Sequence, residues 1–472
     1  MATIPADTSE EIIRRSGQKP SRDMSRYFAR EGVDPLPYAF DGKIAVHPGM
    51  FGDGMLAPNK VEEELNRLLA QPRTGKTTVY IHVPFCETHC LYCGFYNGGY
   101  KPQESRLYAD ALIKELHLWE NSTMQQSAPI HAVYMGGGTP TALEPEDLCR
   151  ILKEVRKVLP LANDCEITVE GRLSNFGPAK MEACFEGGAN RFSLGVQSFI
   201  TKIRQSMGRV STQEQLFAQL ERLMSYNQAA VIVDLIYGFP GQSMELWLED
   251  LEIARSVHLD GMDCYQLNVF GPTPLGKAIA AGKMPPAADI PMQSAMFAKS
   301  VESMTDHFYR RLSVSHWART TRERNLYNSS VKGRASCLAF GPGAGGNIGG
   351  YFYLNRPDYK AWQGLVNEGK KPIAIMSKPA KDGTMYKAIG EGLEQCWLDI
   401  PDLEREFGLP LGEIWKPVLD QWTRVGLVKW RGSLLELTLA GQFWQVNLSQ
   451  LLQEYLKFSL EENDVRSKNV HA

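Results

Sequence analysis

The sequence predicts an α/β fold: six βα units forming an open or partial barrel, with an N-terminal arm before it and a small helical, winged module after it. Three observations predict this. From Thr77 onward, short β-branched runs alternate with amphipathic helical windows, the rhythm of a parallel sheet. A polar or glycine-rich cluster follows most of those runs. The 472 residues are 43% hydrophobic and 22% charged, a globular composition long enough for a large core without disulfide or metal staples.

Residues 1–75 mix a helical window at Val61–Leu69 with loop signals at Pro35, Pro37, Pro48, Gly49 and the turn that starts at Phe51, and read as an arm. Residues 76–350 read as the barrel and its extension. Strands are expected at Thr78–Pro84, Ala132–Met135, Glu166–Val169, Arg191–Val196, Val231–Tyr237 and Asp263–Val269. Helices are expected near Glu104–Glu120, Pro145–Val158, Pro178–Glu186, Thr212–Tyr226 and Met244–Val257. Six repeats favour an open barrel over a closed eight-fold one. The clusters Phe85–Cys93, Gly136–Pro140, Glu170–Arg172, Gln197–Ser198 and Gly238–Gly241 all follow strands. In parallel α/β folds ligands bind at the carboxyl ends of strands, so these clusters read as one shared site. A long helix is expected at about Met292–Leu312, and residues 351–472 read as the C-terminal module, with a two-stranded wing in Gly426–Leu437.

Charge excludes several partners. Lysine and arginine number 51 against 54 acids, a formal balance of −3, so no global field recruits a polyanion or an anionic membrane. The winged pattern would fit DNA, but from Met385 to the end nine Lys or Arg face thirteen Asp or Glu, so the footprint for phosphates is missing and the module reads as packing or lid. Met1–Arg15 lacks the basic and apolar regions of a secretory signal, and no window approaches the roughly 20 apolar residues of a membrane span; a cytoplasmic protein is expected. Thr74-Gly-Lys-Thr77 imitates the end of a phosphate loop, but Ala70 stands where its first glycine belongs and a strand follows where a helix is required.

Six of the nine cysteines are scattered singly and read as small buried hydrophobes. The other three lie in Tyr80-Ile-His-Val-Pro-Phe-Cys86-Glu-Thr-His-Cys90-Leu-Tyr-Cys93, on a loop leaving a strand, where successive thiolates can face one metal centre. A structural zinc wants four closed ligands, and His89, beside Cys90 inside the loop, is a poor fourth. Three cysteines without a fourth suit a four-iron cluster that keeps one iron open. Cys86, Cys90 and Cys93 are therefore the expected metal ligands and catalytic residues.

The Cys-x3-Cys-x2-Cys spacing, with Tyr92 before the last cysteine, resembles the signature of radical S-adenosylmethionine (SAM) enzymes. The resemblance implies a partial (β/α)6 barrel and a [4Fe-4S] cluster whose open iron is chelated by SAM, which an electron then splits to a 5′-deoxyadenosyl radical. An electron donor such as a flavodoxin or ferredoxin is implied with it. Gly136-Gly-Gly-Thr-Pro140 adds three glycines whose backbone amides could approach a ligand closely. With Glu170, Arg191, Gln197, Arg209 and Asp234, it resembles the oxygen-independent coproporphyrinogen III dehydrogenase group, whose members can hold two SAM molecules. By that resemblance Tyr80, Gly137 and Glu170 contact the cluster-bound SAM, and Tyr92, Gly138, Thr139, Gln197, Arg209 and Asp234 surround the second. The chemistry is suitable: carboxylates accept from ribose hydroxyls or an ammonium, and an arginine forks onto a carboxylate.

Two departures redirect the resemblance. Gly94-Phe95 follows Cys93 where that group carries a further cysteine, and Asn268–Leu275 differs from its pattern. These differences, together with the glycine-dense Phe340–Gly346, with Gly345 as a cofactor contact, and the preceding His316-Trp317, resemble the anaerobic haem-utilisation branch, the HutW/ChuW type. That branch is a methyltransferase that opens haem without oxygen: a methylene radical from the second SAM adds to a meso carbon, a methylated linear tetrapyrrole forms and iron is released. Haem is then the expected substrate. Such a site must be dry, wide enough for a macrocycle and locally basic. Arg319, Arg322, Arg324 and Arg334 are candidates for the propionates, Trp317 for an apolar wall and His316 for an iron ligand. A coproporphyrinogen dehydrogenase or a haem chaperone of the same fold is the alternative.

Overall fold

The computed structural model of the chain describes residues 23–44, 53–94, 96 and 98–470. The readings placed on Met1–Arg15, Pro48, Gly49, Phe51 and Phe95 lie outside them.

All six expected strands form, as β1 (Thr77–Val83), β2 (Ile130–Gly137), β3 (Leu161–Gly171), β4 (Arg191–Gln197), β5 (Ala230–Tyr237) and β6 (Gly261–Gln266). They pair in sequence order and all in parallel. The crossovers hold α1 (Pro102–Glu120), α2 (Pro145–Val158), α3 (Pro178–Gly187), α4 (Gln213–Ser225) and α5 (Met244–Ser256), within two residues of expectation. Local chemistry sets their ends: Pro145 occupies the first helical position of α2, Gly188 closes α3 in the left-handed region, and Thr212 with Gln215 forms a reciprocal cap on α4. Because the strands advance in one direction and right-handed crossovers put every helix on the same side, the sheet's other face is left as a concave inner surface.

The sheet stays open and has twelve strands. At the β6 edge β7 (Arg310–Arg311) and β8 (His316–Ala318) run antiparallel. At the other edge β9 (Ser336–Phe340) pairs in parallel with β1, followed outward by β10 (Gly345–Ile348), β11 (Tyr351–Asn355) and β12 (Ile373–Met376). The main sheet thus continues to Met376, past the boundary expected at residue 350, because Gly349 and Gly350 turn the chain back on itself and β11 pairs with β10. The expected long helix ends at Asp306, not Leu312; Arg310 and Arg311 belong to a strand.

The wing forms from Val428–Arg431 and Leu434–Leu437, with Trp397–Asp399 as a third strand. The arm is strapped to this module. Ala29 and Gln421 exchange two hydrogen bonds, Trp422 Nε1 donates to Tyr27 O and Trp444 Nε1 donates to Pro35 O and Leu36 O. Lys43 Nζ then donates to Gln266 Oε1, at 2.6 Å, at the end of β6. The arm therefore spans from the module to the carboxyl rim of the barrel.

Glu115 on α1 ties the glycine-dense loop to that same rim. Fully buried, it accepts from Gly341 N–H at 2.7 Å, Asn355 Nδ2 at 2.8 Å and Trp362 Nε1 at 3.0 Å. Gly341 has φ +95, and a Cβ there would lie 2.4 Å from His82 O, so the loop sits directly on the end of β1. Glu115→Ala takes the acceptor from Gly341 N–H and Trp362 Nε1, while Asn355 Nδ2 keeps Gly341 O, and is expected to cost about 3 kcal/mol. The midpoint of urea unfolding, compared with that of the wild type, measures it.

Candidate functional site

The thiol loop leaves β1 at the carboxyl rim and is held there by backbone pairing. Gly138 N–H donates to Val83 O and Thr139 N–H to Phe85 O, both at 2.7 Å, so the β1–β2 ladder continues past the ends of the strands. The glycine run makes this approach possible. A Cβ on Gly138 would lie 2.4 Å from Phe85 O, and one on Gly137 (φ +106) would lie 2.3 Å from the His82 ring. Two of the amides expected to reach a ligand are therefore spent on the protein: besides Gly138 N–H, Gly137 N–H donates to Glu170 Oε2 at 3.2 Å. Thr139 Oγ1, placed by this ladder, donates to Cys86 Sγ at 3.4 Å.

Further along, Leu91 N–H donates to Met207 O, Leu91 O accepts from Leu275 N–H, and Cys93 N–H closes a turn onto Cys90 O. Cys86 and Cys90 are buried and Cys93 is half-buried; none of the nine cysteines is in a disulfide. Arg172 Nη1 donates to Thr88 at both O and Oγ1. Arg209 donates to the Tyr92 hydroxyl at 3.0 and 3.1 Å and to Gly195 O. Burial opposes the Cys90 thiolate, but Arg209 and Arg172, with hydrogen bonds from Tyr92 and Arg209, hold its pKa below the ordinary cysteine value. Burial raises that of Cys86, against Thr139. His89 stacks on Tyr96 with ring centroids 4.0 Å apart. Among the described residues no three His, Cys, Asp or Glu side chains are gathered tightly enough to hold a single metal ion.

The inner face beside the loop carries the other expected residues. Tyr80 donates to His82 Nδ1 at 2.9 Å and packs with Tyr134 and Tyr327 in a stacked row. Glu170 is raised to about 7, by burial above all, against Gly137 N–H and Arg172. Asp234, on β5, lies across β4 from it. Gln197 follows an irregularity in the β4–β5 register, has φ +72, and buries an Oε1 with no hydrogen-bond partner in the protein. A strained residue with an orphaned acceptor, beside buried carboxyls that lack a cation of their own, fits a ligand bearing an ammonium and hydroxyls, which is what SAM presents.

Gly345 opens β10 near the carboxyl end of β9, two strands from β1, and its missing side chain makes room for the Phe352 ring. Other expectations are corrected. Arg191 opens β4 at its amino end and forks onto Glu323. His316 cannot bind iron, since both ring nitrogens are bonded to carboxylates. Trp317, next on a strand, points to the opposite face under the Arg311 guanidinium. Arg319 serves Leu259 O and His258 O before β6, Arg322 serves Asn227 and Ala229 O before β5, and Arg324 serves Asp164 near the amino end of β3, all opposite the thiol loop. Arg334 pairs with Glu406 and Glu391. The stretch looked like a basic face awaiting a ligand; its arginines instead close carbonyls and carboxylates that the sheet exposes at its amino end. Glu323, which joins Arg191 to His316, is not singled out by the sequence, and its only signal there is an acid set among Arg319, Arg322 and Arg324.

Residues 80–254 match the Radical SAM superfamily. Anaerobilin synthase of Escherichia coli O157:H7 is 42% identical over 443 residues, 92% of this chain and 96% of that protein. The chain belongs to the anaerobilin synthase family of radical SAM enzymes. Heme chaperone HemW of Bacillus subtilis is 26% identical, covering 77% of this chain and 96% of that protein, and the oxygen-independent coproporphyrinogen III oxidase of Pseudomonas aeruginosa is 24% identical, covering 84% and 89%. The structure of HemN from Escherichia coli superimposes with a TM-score of 0.72 at 20% identity, over 83% of this chain and 93% of that one, and shows the same fold. Among the described residues no helix is long and apolar enough to cross a membrane.

The ladder under the thiol loop yields a test. Gly138→Ala must push Phe85, and with it Cys86, away from β2. Anaerobically purified Gly138→Ala is expected to lose most of its iron and acid-labile sulfide, whereas Gly364→Ala, where a Cβ meets nothing within 4 Å, keeps both.

Proposed function

We propose that this enzyme opens haem without oxygen to a methylated linear tetrapyrrole and releases its iron. The observation that carries the reading is the 42% identity with anaerobilin synthase along 92% of the chain, which runs well beyond the radical SAM segment through the extension and the module. The coproporphyrinogen oxidases and haem chaperones are more distant, and the chain lacks the further cysteine after Cys93.

In this reading Cys86, Cys90 and Cys93 hold a [4Fe-4S] cluster, which supplies the electron that cleaves SAM to a deoxyadenosyl radical. The chain's own residues steady and place the reactants. Thr139 fixes the sulfur of Cys86, while Arg209 and Arg172 favour the thiolate of Cys90 and offset the negative charge gathered there. Tyr80, Gly137 and Glu170 border the first SAM, with Glu170 able to accept from its ammonium or ribose. Tyr92, Gly138, Thr139, Gln197, Arg209 and Asp234 border a second SAM, the methylene donor. Gln197 Oε1 gains the partner it lacks, and Arg209, already anchored on Tyr92, can receive a carboxylate. Ile236 and Tyr265, neighbours across β5 and β6, offer a wall for a flat macrocycle. A cytoplasmic setting and a flavodoxin or ferredoxin as electron donor complete the proposal.

Reconstituted enzyme given SAM, haem and a reductant under nitrogen should consume the Soret band and yield deoxyadenosine with a methylated linear product. Decarboxylated coproporphyrinogen beside unchanged haem would overturn the reading in favour of the dehydrogenase. Each of Cys86→Ala, Cys90→Ala and Cys93→Ala should abolish both cluster absorbance and product, while Cys149→Ala is silent. Gln197→Ala should slow methylated product more than SAM cleavage; equal losses, read by chromatography, would argue against a second SAM.

A further inference from the structure

Below the SAM-binding rim the inner face carries a chain of charged groups that the roles above leave unused. Asp234, Asp263 and His316 stand in one row across β5, β6 and β8. His316 donates from Nδ1 to Asp263 Oδ2 at 2.6 Å and from Nε2 to Glu323 Oε1 at 3.0 Å, and Glu323 receives the fork of Arg191 at 3.0–3.2 Å. Only an imidazolium donates from both ring nitrogens. These four residues are between 0% and 2% exposed, and their charges alternate and cancel within the chain. Asp234, next in the row, has no cation left to itself. It receives one long hydrogen bond, from Ser193 Oγ at 3.4 Å. Facing it are Asp263 and Tyr265 from β6, Glu170 from β3, Tyr134 from β2, Arg191 from β4 and His316 from β8. Where two carboxyls adjoin and one already has its cation, the other keeps its proton. Burial first, then Asp263 and Glu170, raise Asp234 to about 7, against Arg191 and His316.

We propose that Asp234 is the acid that protonates the tetrapyrrole as iron leaves it, and that Asp263 and His316 are positioning residues that keep that proton in place. The inference rests on the haem reading above and gives Asp234 a duty beyond bordering SAM. Two of the ring nitrogens are anionic ligands; each exchanges its bond to ferrous iron for a bond to hydrogen. The iron departs as Fe(II) with its oxidation state unchanged. In each transfer the O–H bond of Asp234 breaks, its electron pair stays on the carboxylate, and water restores the proton before the next. Tyr265, 39% exposed and beside Asp263, sets the row against the open side of the recess that receives the macrocycle.

The test is the ratio of iron released, trapped by a ferrous chelator, to deoxyadenosine formed, followed through neutral pH in enzyme shown to carry its cluster. The wild-type ratio should fall as pH rises through about 7, because the acid form is the donor. Asp263→Asn removes a like charge and should move the fall to lower pH. His316→Gln leaves Asp263 uncompensated and should move it to higher pH. Asp234→Asn should erase the inflection and lower the ratio at least ~10-fold. Infrared titration of the resting enzyme supplies a readout without turnover: a protonated-carboxyl band that disappears near the same pH and is absent from Asp234→Asn. Opposite displacements by the two neighbours, with that band, are what a purely structural role would not give. A ratio flat in pH, parallel displacements, or a wild type without the band overturns the proposal. A wild type that cleaves SAM and shows the band but leaves haem whole overturns the haem reading, and the assignment of Asp234 as donor with it.

Discussion

The site depends on two backbone hydrogen bonds made beyond the ends of strands, from Gly138 to Val83 and from Thr139 to Phe85. A parallel ladder normally stops where its strands diverge into loops. Here glycines without Cβ atoms let the chain after β2 stay in contact with the chain after β1, so the thiol loop inherits the rigidity of the sheet. Everything near the cysteines is referenced to that seam. Thr139 meets Cys86 because its own amide is pinned one residue away, and Glu170 is brought to the same edge by Gly137. A loop free to wander would leave thiols, carboxyl and hydroxyl as separate features.

The electrostatics follow a division of labour along the sheet. Arginines near the thiol loop, Arg172 and Arg209, favour negative charge on sulfur. Deeper in, Arg191 and His316 are each engaged by carboxylates, and nothing remains for Asp234. Glu170 and Asp234 are thus two acids bordering the recess whose environments disfavour the ionised form. A buried chain of alternating charges is a weak source of stability. Its value here is placement, since removing one member changes the charge felt by the next.

Local chemistry explains what could be read from the sequence. The strands and helices of the barrel carry strong periodicity and clear stop signals, so Pro145–Val158 and Arg191–Val196 were legible almost to the residue, as was the thiol loop from spacing alone. What escaped depends on partners far along the chain. The reason for Gly138 is the Phe85 carbonyl, the reason for Arg191 is Glu323, and both are invisible to a local window. His316–Ala318 is three residues long, too short for alternation to show, so His316 and Trp317, which face opposite sides of the sheet, read as an iron ligand and an apolar wall of one haem site. A hairpin through Gly349 and Gly350 likewise carries the sheet past residue 350.

The strap formed by residues 23–44 has a temporal consequence. Ala29 and Gln421 are 392 positions apart, so one end of the clasp leaves the ribosome long before the other. At roughly 5–20 residues per second the interval is on the order of ~20–80 s, and in its last part, after Gln266 has emerged, all six central strands exist without their brace. Whatever delivers iron and sulfide to a nascent chain in that window meets a rim that the finished molecule no longer offers in the same form. Maturation and closure are in this way ordered by the distance along the chain between the arm and its anchor.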